Sequence, residues 1–171
     1  FKGLVQSPTP TTVEGEYFQI RDAYLEVRSP KATGTPITIG GNGPKLTLPL
    51  VAKYADEWNA VYPNLETYPE LTARLNELLA AEGRQPSDVK RTAMSRLMIG
   101  RDEAELATRI EPANLQSLKD RGAPVGTPDE IVQQLGAISE LGIEGVMLQL
   151  LDMDDISALE LFAEKVLPQL A

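Results

Sequence analysis

Short runs of apolar and β-branched residues alternate along the chain with segments whose apolar residues recur at helical spacing. The short runs predict four strands, and the spacing predicts a helix after each of them. Such alternation is typical of a parallel sheet covered by helices, and the uniformly apolar run VMLQLL agrees with that interpretation. The predicted strands are residues 37–39, 57–61, 90–99 and 145–151; the predicted helices are residues 44–55, 67–84, 102–118 with a break near Pro112, 127–141 and 155–170.

The first 34 residues follow a different pattern. SPTPTT at residues 7–12 is a connector rich in Pro and Thr, and VEGEYFQIRDAYLEV at residues 13–27 carries aromatic and β-branched residues around turn signals. This composition predicts two short strands in a hairpin-like arrangement. We therefore divide the chain into a connector, residues 1–34, and an α/β segment, residues 35–171.

Two architectures fit four strand–helix units, a doubly wound open sheet and part of a (β/α)8 TIM barrel. A complete barrel takes about 250 residues and eight strands, whereas this chain has 171 residues. Half a barrel is therefore one of the two alternatives. In that case the inner side chains of runs such as ITI and VMLQLL are expected to form an exposed apolar face.

The helix start at Thr127 carries the strongest local signal. Thr127 is a suitable N-cap, Pro128 suits the first helical position, and Glu130 stands where a capping box requires it.

The composition excludes several types of functional site and disfavours one class of partner. The chain has 16 basic and 25 acidic residues, a net charge of −9, which disfavours nucleic acid as a partner. Cys and His are both absent, so disulfides, the usual zinc sites and His-based triads are excluded. No apolar run reaches the roughly 18–20 residues of a membrane span. Absence of Cys fits a cytoplasmic protein.

The stretch TPITIGGNGPK, residues 35–45, is the main candidate for ligand binding. A strand runs into a loop formed by Gly40, Gly41, Asn42 and Gly43, and a helix follows. Glycines let backbone N–H groups converge on an anion at a helix N-terminus, so a phosphate is the expected guest. The alternative is a tight turn without a ligand. The spacing fits neither a P-loop nor the dinucleotide fingerprint, which would need a third Gly at Leu46.

Four other residues are candidates for a substrate or cofactor pocket. Trp58 could form a pocket wall or belong to the core, and Asn59 could point into the mouth of a barrel. Arg96 lies in an apolar strand, where its charge needs a partner or an outward orientation. Gln149 interrupts VMLQLL and could bind a ligand or a neighbouring strand. Three acidic residues after that strand could suggest a metal, but a helix cap by one of the last two is favoured: Asp152, Asp154 and Asp155.

Several segments, read together, resemble a known family. PITIGGNGPK with LVAKYADEWN, then MSRLMIGRDEAEL, GTPDEIVQQLGAISELGIEGVMLQL and FAEKVLPQL resemble, in this order, the carboxy-terminal half of luciferase-like monooxygenases. EGEYFQIRDAYLEV resembles the segment that leads into that half, so the resemblance covers about residues 13–170. This family comprises flavin- and deazaflavin-dependent oxidoreductases built on a (β/α)8 barrel.

The resemblance implies that the four strands are barrel strands five to eight. It also implies that Gly40, Gly41, Asn42 and Gly43 lie near the phosphate of FMN or of the deazaflavin F420. The ending VMLQLLDMDD is most like the deazaflavin branch. Pro49 departs from the family pattern, because it stands inside the predicted helix and is expected to kink or restart it.

The missing first four strands supply much of the isoalloxazine pocket in this family, so we expect this chain alone to be inactive. Its expected partners are the missing amino-terminal half of the barrel or a second copy of the chain, besides a small-molecule substrate. Two alternatives remain open: a non-catalytic, self-associating half-barrel that binds a phosphate-bearing ligand or nothing, and an unrelated doubly wound enzyme.

Overall fold

A short helix and a β-hairpin come first in the computed structural model, which describes residues 1–26, 29–30, 34–152 and 154–170. Helix α1 spans Lys2–Gln6, strand β1 spans Thr11–Glu14 and strand β2 spans Gln19–Ala23. The two strands pair antiparallel, as the turn signals predicted. Helix α1 was not predicted. Val27, at the end of the predicted hairpin segment, lies outside the described residues.

Strands and helices then alternate to the end of the described chain. The elements are β3 (Thr38–Gly40), α2 (Thr47–Tyr54), β4 (Glu57–Val61), α3 (Tyr68–Ala81), β5 (Lys90–Arg96), β6 (Met98–Ile99), α4 (Glu103–Arg109), α5 (Pro112–Asp120), β7 (Val125–Gly126), α6 (Pro128–Glu140), β8 (Gly145–Gln149) and α7 (Ile156–Lys165), with 3-10 turns at Pro86–Asp88 and Leu167–Gln169.

The main sheet consists of the four predicted strands, in the order β3-β4-β5-β8, and every neighbouring pair is parallel. Thr38 pairs with Glu57, Glu57 with Lys90, and Thr92 with Gly145. The sheet does not close, so β3 and β8 are its edges. A separate parallel pair joins β6 to β7. None of the described helices has both the length and the apolar character needed to cross a membrane.

The two faces of the main sheet differ. Side chains alternate along each strand, so one set packs under the helices and the other forms what we call the open face. On the helix-covered face, buried or packed against the core, are Ile39, Trp58, Ala60, Ala93, Val146 and Leu148. On the open face are Thr38, Gly40, Glu57, Asn59, Val61, Lys90, Thr92, Met94, Arg96, Gly145, Met147 and Gln149.

The expectation of an apolar inner face is therefore wrong for most of the sheet. Period-two alternation turns Ile39 of ITI, and Val146 and Leu148 of VMLQLL, towards the helices. Val61, Met94 and Met147 contribute the large apolar side chains among the open-face residues named above. Most of the other open-face side chains are polar, which favours a surface that binds a ligand over a packed barrel core.

Two predicted boundaries shift for local reasons. Helix α2 begins at Thr47 rather than at residue 44, and a turn whose Leu48 N–H donates to Gly43 O (3.0 Å) precedes it. Pro49 is then the third helical residue, where a missing N–H costs little because the first turn has no intrahelical acceptor. The predicted strand 90–99 divides at Leu97, whose N–H donates to Gln149 O (3.0 Å).

The capping box of α6 is present as predicted. Glu130 Oε2 accepts from the Thr127 backbone N–H at 2.7 Å and from its hydroxyl at 2.9 Å. These hydrogen bonds, the backbone one first, hold the pKa of the Glu130 carboxyl below its usual range.

We expect Thr127→Ala to lower the free energy of unfolding by about 0.5–2 kcal/mol, because the capping box loses its hydroxyl. Urea titration measures this. Thr67→Ala is the matched control, since Thr67 is also an N-cap residue but its hydroxyl lacks a bond like the one from the Thr127 hydroxyl to Glu130. An unchanged midpoint for Thr127→Ala would contradict the role of the hydroxyl.

Candidate functional site

The glycine loop leaves β3 at the carboxyl edge of the main sheet, and its backbone requires glycine at one position. Gly41 has φ of +116°, a region that side-chain-bearing residues rarely adopt. Its N–H donates to Asn59 O at 3.0 Å, which ties the loop to β4. The Asn42 side chain adds two hydrogen bonds to the backbone of Val61, donating to the carbonyl at 2.7 Å and accepting from the N–H at 2.8 Å.

This arrangement leaves backbone donors available. Among the described residues, the N–H groups of Asn42 and Gly43 have no hydrogen-bond partner. Gly43 is exposed, and a Cβ there would lie 2.9 Å from Thr47 Oγ1, so the chain passes close to the start of α2. Lys45 is exposed in the same turn. Lys45 was not predicted as a site residue, although it lies in residues 35–45, the stretch that the sequence indicated as the main candidate for ligand binding.

Trp58 supports the loop from below instead of lining a pocket. Its side chain has no exposed surface, and its ring stacks on Tyr68 with centroids 5.3 Å apart. The indole N–H donates to Gly41 O at 2.8 Å. Of the two roles considered for Trp58, pocket wall and core, the structure supports the core role, in which Trp58 connects the sheet to the glycine loop.

A buried cation lies on the same side of the sheet. Arg91 is 8% exposed, its guanidinium stands 5.7 Å from the Trp58 ring, and Nη2 donates to Asn76 Oδ1 at 2.8 Å. Burial lowers the pKa of Arg91 and raises the pKa of the Tyr68 hydroxyl. This group lies under the helices and packs the core beneath the loop.

Asn59 lies on the open face, next to the loop. Its amide donates to Thr92 Oγ1 at 2.9 Å, and that hydroxyl donates to Glu57 Oε1 at 2.7 Å. Asn59 is buried, 8% exposed, within this row across β4 and β5. The Asn59 amide is thus engaged by a neighbouring strand, and its role at the mouth of a barrel stays a prediction.

Arg96 and Gln149 pair in register at the carboxyl ends of β5 and β8. Gln149 is exposed on the open face. Arg96 lines a cavity of about 170 Å³ between the end of β5 and the start of α7, and its Nε is buried without a partner. The two residues are about one strand spacing apart, but neither adjoins the glycine loop.

The acidic residues after β8 form a helix cap, as favoured from the sequence. Asp155 is the N-cap of α7 and accepts from the Ala158 N–H at 3.1 Å. Asp152 accepts from the Asp154 N–H at 3.1 Å. No group of three or more acidic residues in the described part of the chain is arranged to hold a metal ion.

Arg109 connects this cap to β6, which sequence reasoning did not find. Its guanidinium binds Asp155 at 2.6 Å, the Ser157 hydroxyl at 2.7 Å and Ile99 O at 2.6 Å. The Ser157 hydroxyl and the Arg109 guanidinium hold the pKa of the Asp155 carboxyl below its usual range.

We expect Asp155→Asn to destabilise the chain by about 1–2 kcal/mol near pH 7, because charge-assisted hydrogen bonds are lost. A carboxyl whose pKa is lower in the folded state stabilises the fold above its unfolded pKa and stops doing so as the pH falls through the folded pKa. The stability difference between wild type and variant should therefore shrink below about pH 4. Asp154→Asn, an exposed neighbour in the same turn, is the control. Parallel pH curves for wild type and Asp155→Asn would contradict the expectation.

Comparison with solved structures defines the class of fold. The chain superposes on an F420-dependent secondary alcohol dehydrogenase in complex with an F420-acetone adduct with a TM-score of 0.80 at 20% identity, covering 99% of this chain and 58% of that one. A coenzyme F420-dependent tetrahydromethanopterin reductase from Methanopyrus kandleri gives 0.74 at 18% identity, covering 99% and 60%. A riboflavin lyase with modified FMN and riboflavin gives 0.70 at 17%, covering 94% and 48%.

These likenesses define an α/β fold that matches about half of a luciferase-like barrel, and the chain spans between 48% and 60% of the length of those three chains. In sequence, the family described as luciferase-like monooxygenase matches residues 1–120. The chain belongs to this family. No curated protein matches it in sequence.

Proposed function

We propose that this chain is the carboxy-terminal half of a luciferase-like, flavin- or deazaflavin-dependent oxidoreductase, and that residues 40–43 hold the phosphate of the cofactor. One observation carries the proposal. The loop at the carboxyl end of β3 is fixed in a conformation that only glycine adopts easily, and it presents two unpartnered N–H groups beside the start of α2.

The chemical role of each part follows from this arrangement. The N–H groups of Asn42 and Gly43 suit an oxyanion, and the exposed Lys45 adds positive charge. The Asn42 side chain and the Trp58 indole hold the loop against β4, so the donors are oriented before a ligand arrives. The bound cofactor would supply the redox chemistry, while the protein positions it and excludes water.

The location at the carboxyl edge of a parallel sheet agrees with the proposal. Active sites of (β/α)8 barrels lie at the end where the strands finish. The open face supports the same interpretation, because its exposed polar side chains, such as Thr38 and Gln149, suit a surface that binds a ligand. Between F420 and FMN we propose F420, on the likeness of VMLQLLDMDD to the deazaflavin branch; Met153 of that stretch lies outside the described residues.

A pair of ligands that differ only in the phosphate tests the loop directly. FMN and riboflavin share the isoalloxazine ring, so their relative affinity isolates the phosphate contact. We expect FMN to bind this chain at least tenfold more tightly, about 1.4 kcal/mol, as measured by quenching of flavin fluorescence. Between the two cofactors, we expect the tighter absolute affinity for F420.

Equal affinity for FMN and riboflavin would contradict the phosphate assignment. Absence of binding by both flavins and by F420, with the chain and an added amino-terminal half, would contradict the proposed oxidoreductase function altogether. In that event the non-catalytic, self-associating half-barrel would be the better interpretation.

A further inference from the structure

We propose that the cavity beside Arg96 is a separate binding site for the carboxylate of a small ligand. Arg96 is the last residue of β5, and its guanidinium makes no hydrogen bond or ion pair with any described residue. A buried, unpartnered guanidinium nitrogen is costly, and an anionic guest removes that cost. The proposal concerns a site distinct from the glycine loop.

Two of the other charged groups around the cavity, Arg109 and Asp155, are already engaged with each other. Arg109 is bound to Asp155, Ser157 and Ile99 O, so it has little donor capacity left for a ligand. Asp155 is neutralised by Arg109 and caps α7, so the helix N-terminus is already satisfied by the chain itself. Arg96 is therefore the cation of the cavity that remains available.

Size and shape favour a short carboxylate. The cavity holds about 170 Å³, below the roughly 300–1,000 Å³ of sites for drug-sized ligands. Leu97, Leu150 and Leu151 form an apolar part of a lining that is otherwise mostly polar, which leaves room for only a short hydrocarbon chain behind the acid group. The Nε–H and one Nη–H of an arginine form a planar pair of donors that matches the two oxygens of a carboxylate.

A dianion fits less well than a monoanion. The exposed Asp152 lies at the rim of the same cavity, and its negative charge opposes a phosphate more strongly than a carboxylate. We therefore assign the site to a monocarboxylate, in preference to phosphate.

Sheet geometry separates this site from the loop. Gly40 is level with Asn59 and Thr92 across the sheet, two strands from β5, a sideways distance of roughly 10 Å. Arg96 lies four residues further along β5, roughly 13 Å towards the carboxyl edge. A carboxylate-bearing substrate could thus occupy the Arg96 cavity together with a cofactor phosphate on the loop; the identification of the guest as a substrate rests on the proposed function.

The arginine side-chain signals of the nitrogen-15-labelled chain give a direct test. We expect the Nε–H resonance of Arg96, assigned by its loss in Arg96→Lys, to shift saturably when propionate is added at constant ionic strength. Inorganic phosphate should shift it at least tenfold less effectively. The Nε–H of Arg74, an exposed arginine paired with Glu77, should not respond to either ion.

Variants distinguish a specific binding site at Arg96 from a general effect of positive charge on anion binding. Arg96→Met should weaken propionate binding at least tenfold, as followed by the backbone amides of Leu97 and Leu151, whereas Arg74→Met should leave it unchanged. Should Arg96→Met fail to fold, Arg96→Lys, which lacks the planar donor pair, is expected to bind several-fold more weakly than wild type. The proposal is overturned by an Arg96 signal that does not move, by one that moves only in step with Arg74, or by tighter binding of phosphate. None of these outcomes alters the ratio of FMN to riboflavin affinity, so failure here is distinguishable from failure of the proposed function.

Discussion

Gly40→Val should weaken binding of a phosphate-bearing cofactor at least a hundredfold while the chain remains folded. A Cβ at Gly40 would meet only Asn59 O, at 3.7 Å, and β-branched residues are well tolerated in strands. The added side chain would stand on the open face at the start of the loop whose Asn42 and Gly43 N–H groups are free, where we propose that the phosphate approaches. Hydrogen bonds to a charged group contribute about 1.5–3 kcal/mol each, so losing both corresponds to a hundredfold or more.

The measurement is the affinity for F420 and FMN by fluorescence quenching, together with the unfolding midpoint. Gly136→Val in α6 is the matched control, because nothing lies within 4 Å of a Cβ there. Gly41→Val, which we also expect to weaken binding at least tenfold, is the poorer test, since φ of +116° strains any added side chain and confounds binding with folding. Unchanged affinity in a folded Gly40→Val protein would show that the phosphate does not approach this loop.

Association is the second large effect that we expect. The edges β3 and β8 carry backbone groups that no strand of the main sheet pairs, and Met147 on β8 is 53% exposed. Burying each large apolar side chain contributes roughly 1.5–3 kcal/mol, against a stability of about 5–15 kcal/mol for a whole domain. We therefore expect the chain to pair with an amino-terminal half of the barrel, or with a second copy when that half is absent.

Light scattering at micromolar concentration tests this expectation. Met147→Lys should shift the distribution towards monomer, because it places a charge beside the β8 edge. Leu65→Lys is the control, since Leu65 is similarly exposed, 49%, but lies in the connection between β4, an inner strand of the main sheet, and α3. A monodisperse monomer of 18.6 kDa for wild type, with cooperative melting, would contradict the half-barrel interpretation.

The connector, residues 1–34, begins near one edge of the main sheet. Helix α1 lies near β3, with a groove of about 550 Å³ between Phe1 and the strand residues 37–39. At the hairpin turn, Tyr17 and Phe18 are 84% and 82% exposed. Of the described connector residues, Phe1, Lys2 and Gly3 therefore border the β3 edge of the sheet.

Elements with strong local signals were predictable from the sequence. The four main strands, the break at Pro112 and the Thr127 cap appear where hydrophobic period, proline and capping chemistry indicated them. Strand β7, two residues long, and helix α1, which has no side-chain cap, were missed because neither gives a periodic pattern.

Orientation and long-range pairing were harder to predict. Trp58 and Asn59 are neighbours in sequence but point to opposite faces, and only the register of the sheet decides which one the helices cover. The binding of Arg109 to Asp155 joins residues 46 positions apart, so no local pattern carries it. The glycine loop was recognised by its composition, whereas its anchor, Asn42 to Val61, depends on the pairing of β3 with β4.

Trp58 also gives this protein a built-in optical reporter. It is the single tryptophan among 171 residues, it is shielded from solvent, and its indole N–H touches the carbonyl of Gly41. When this ring is excited selectively, its fluorescence reports on a residue that is hydrogen-bonded to the glycine loop. Any chromophore seated on that loop would lie close enough to accept the excitation energy, so the emission of an unlabelled sample records both the arrival of a cofactor and any movement of the loop.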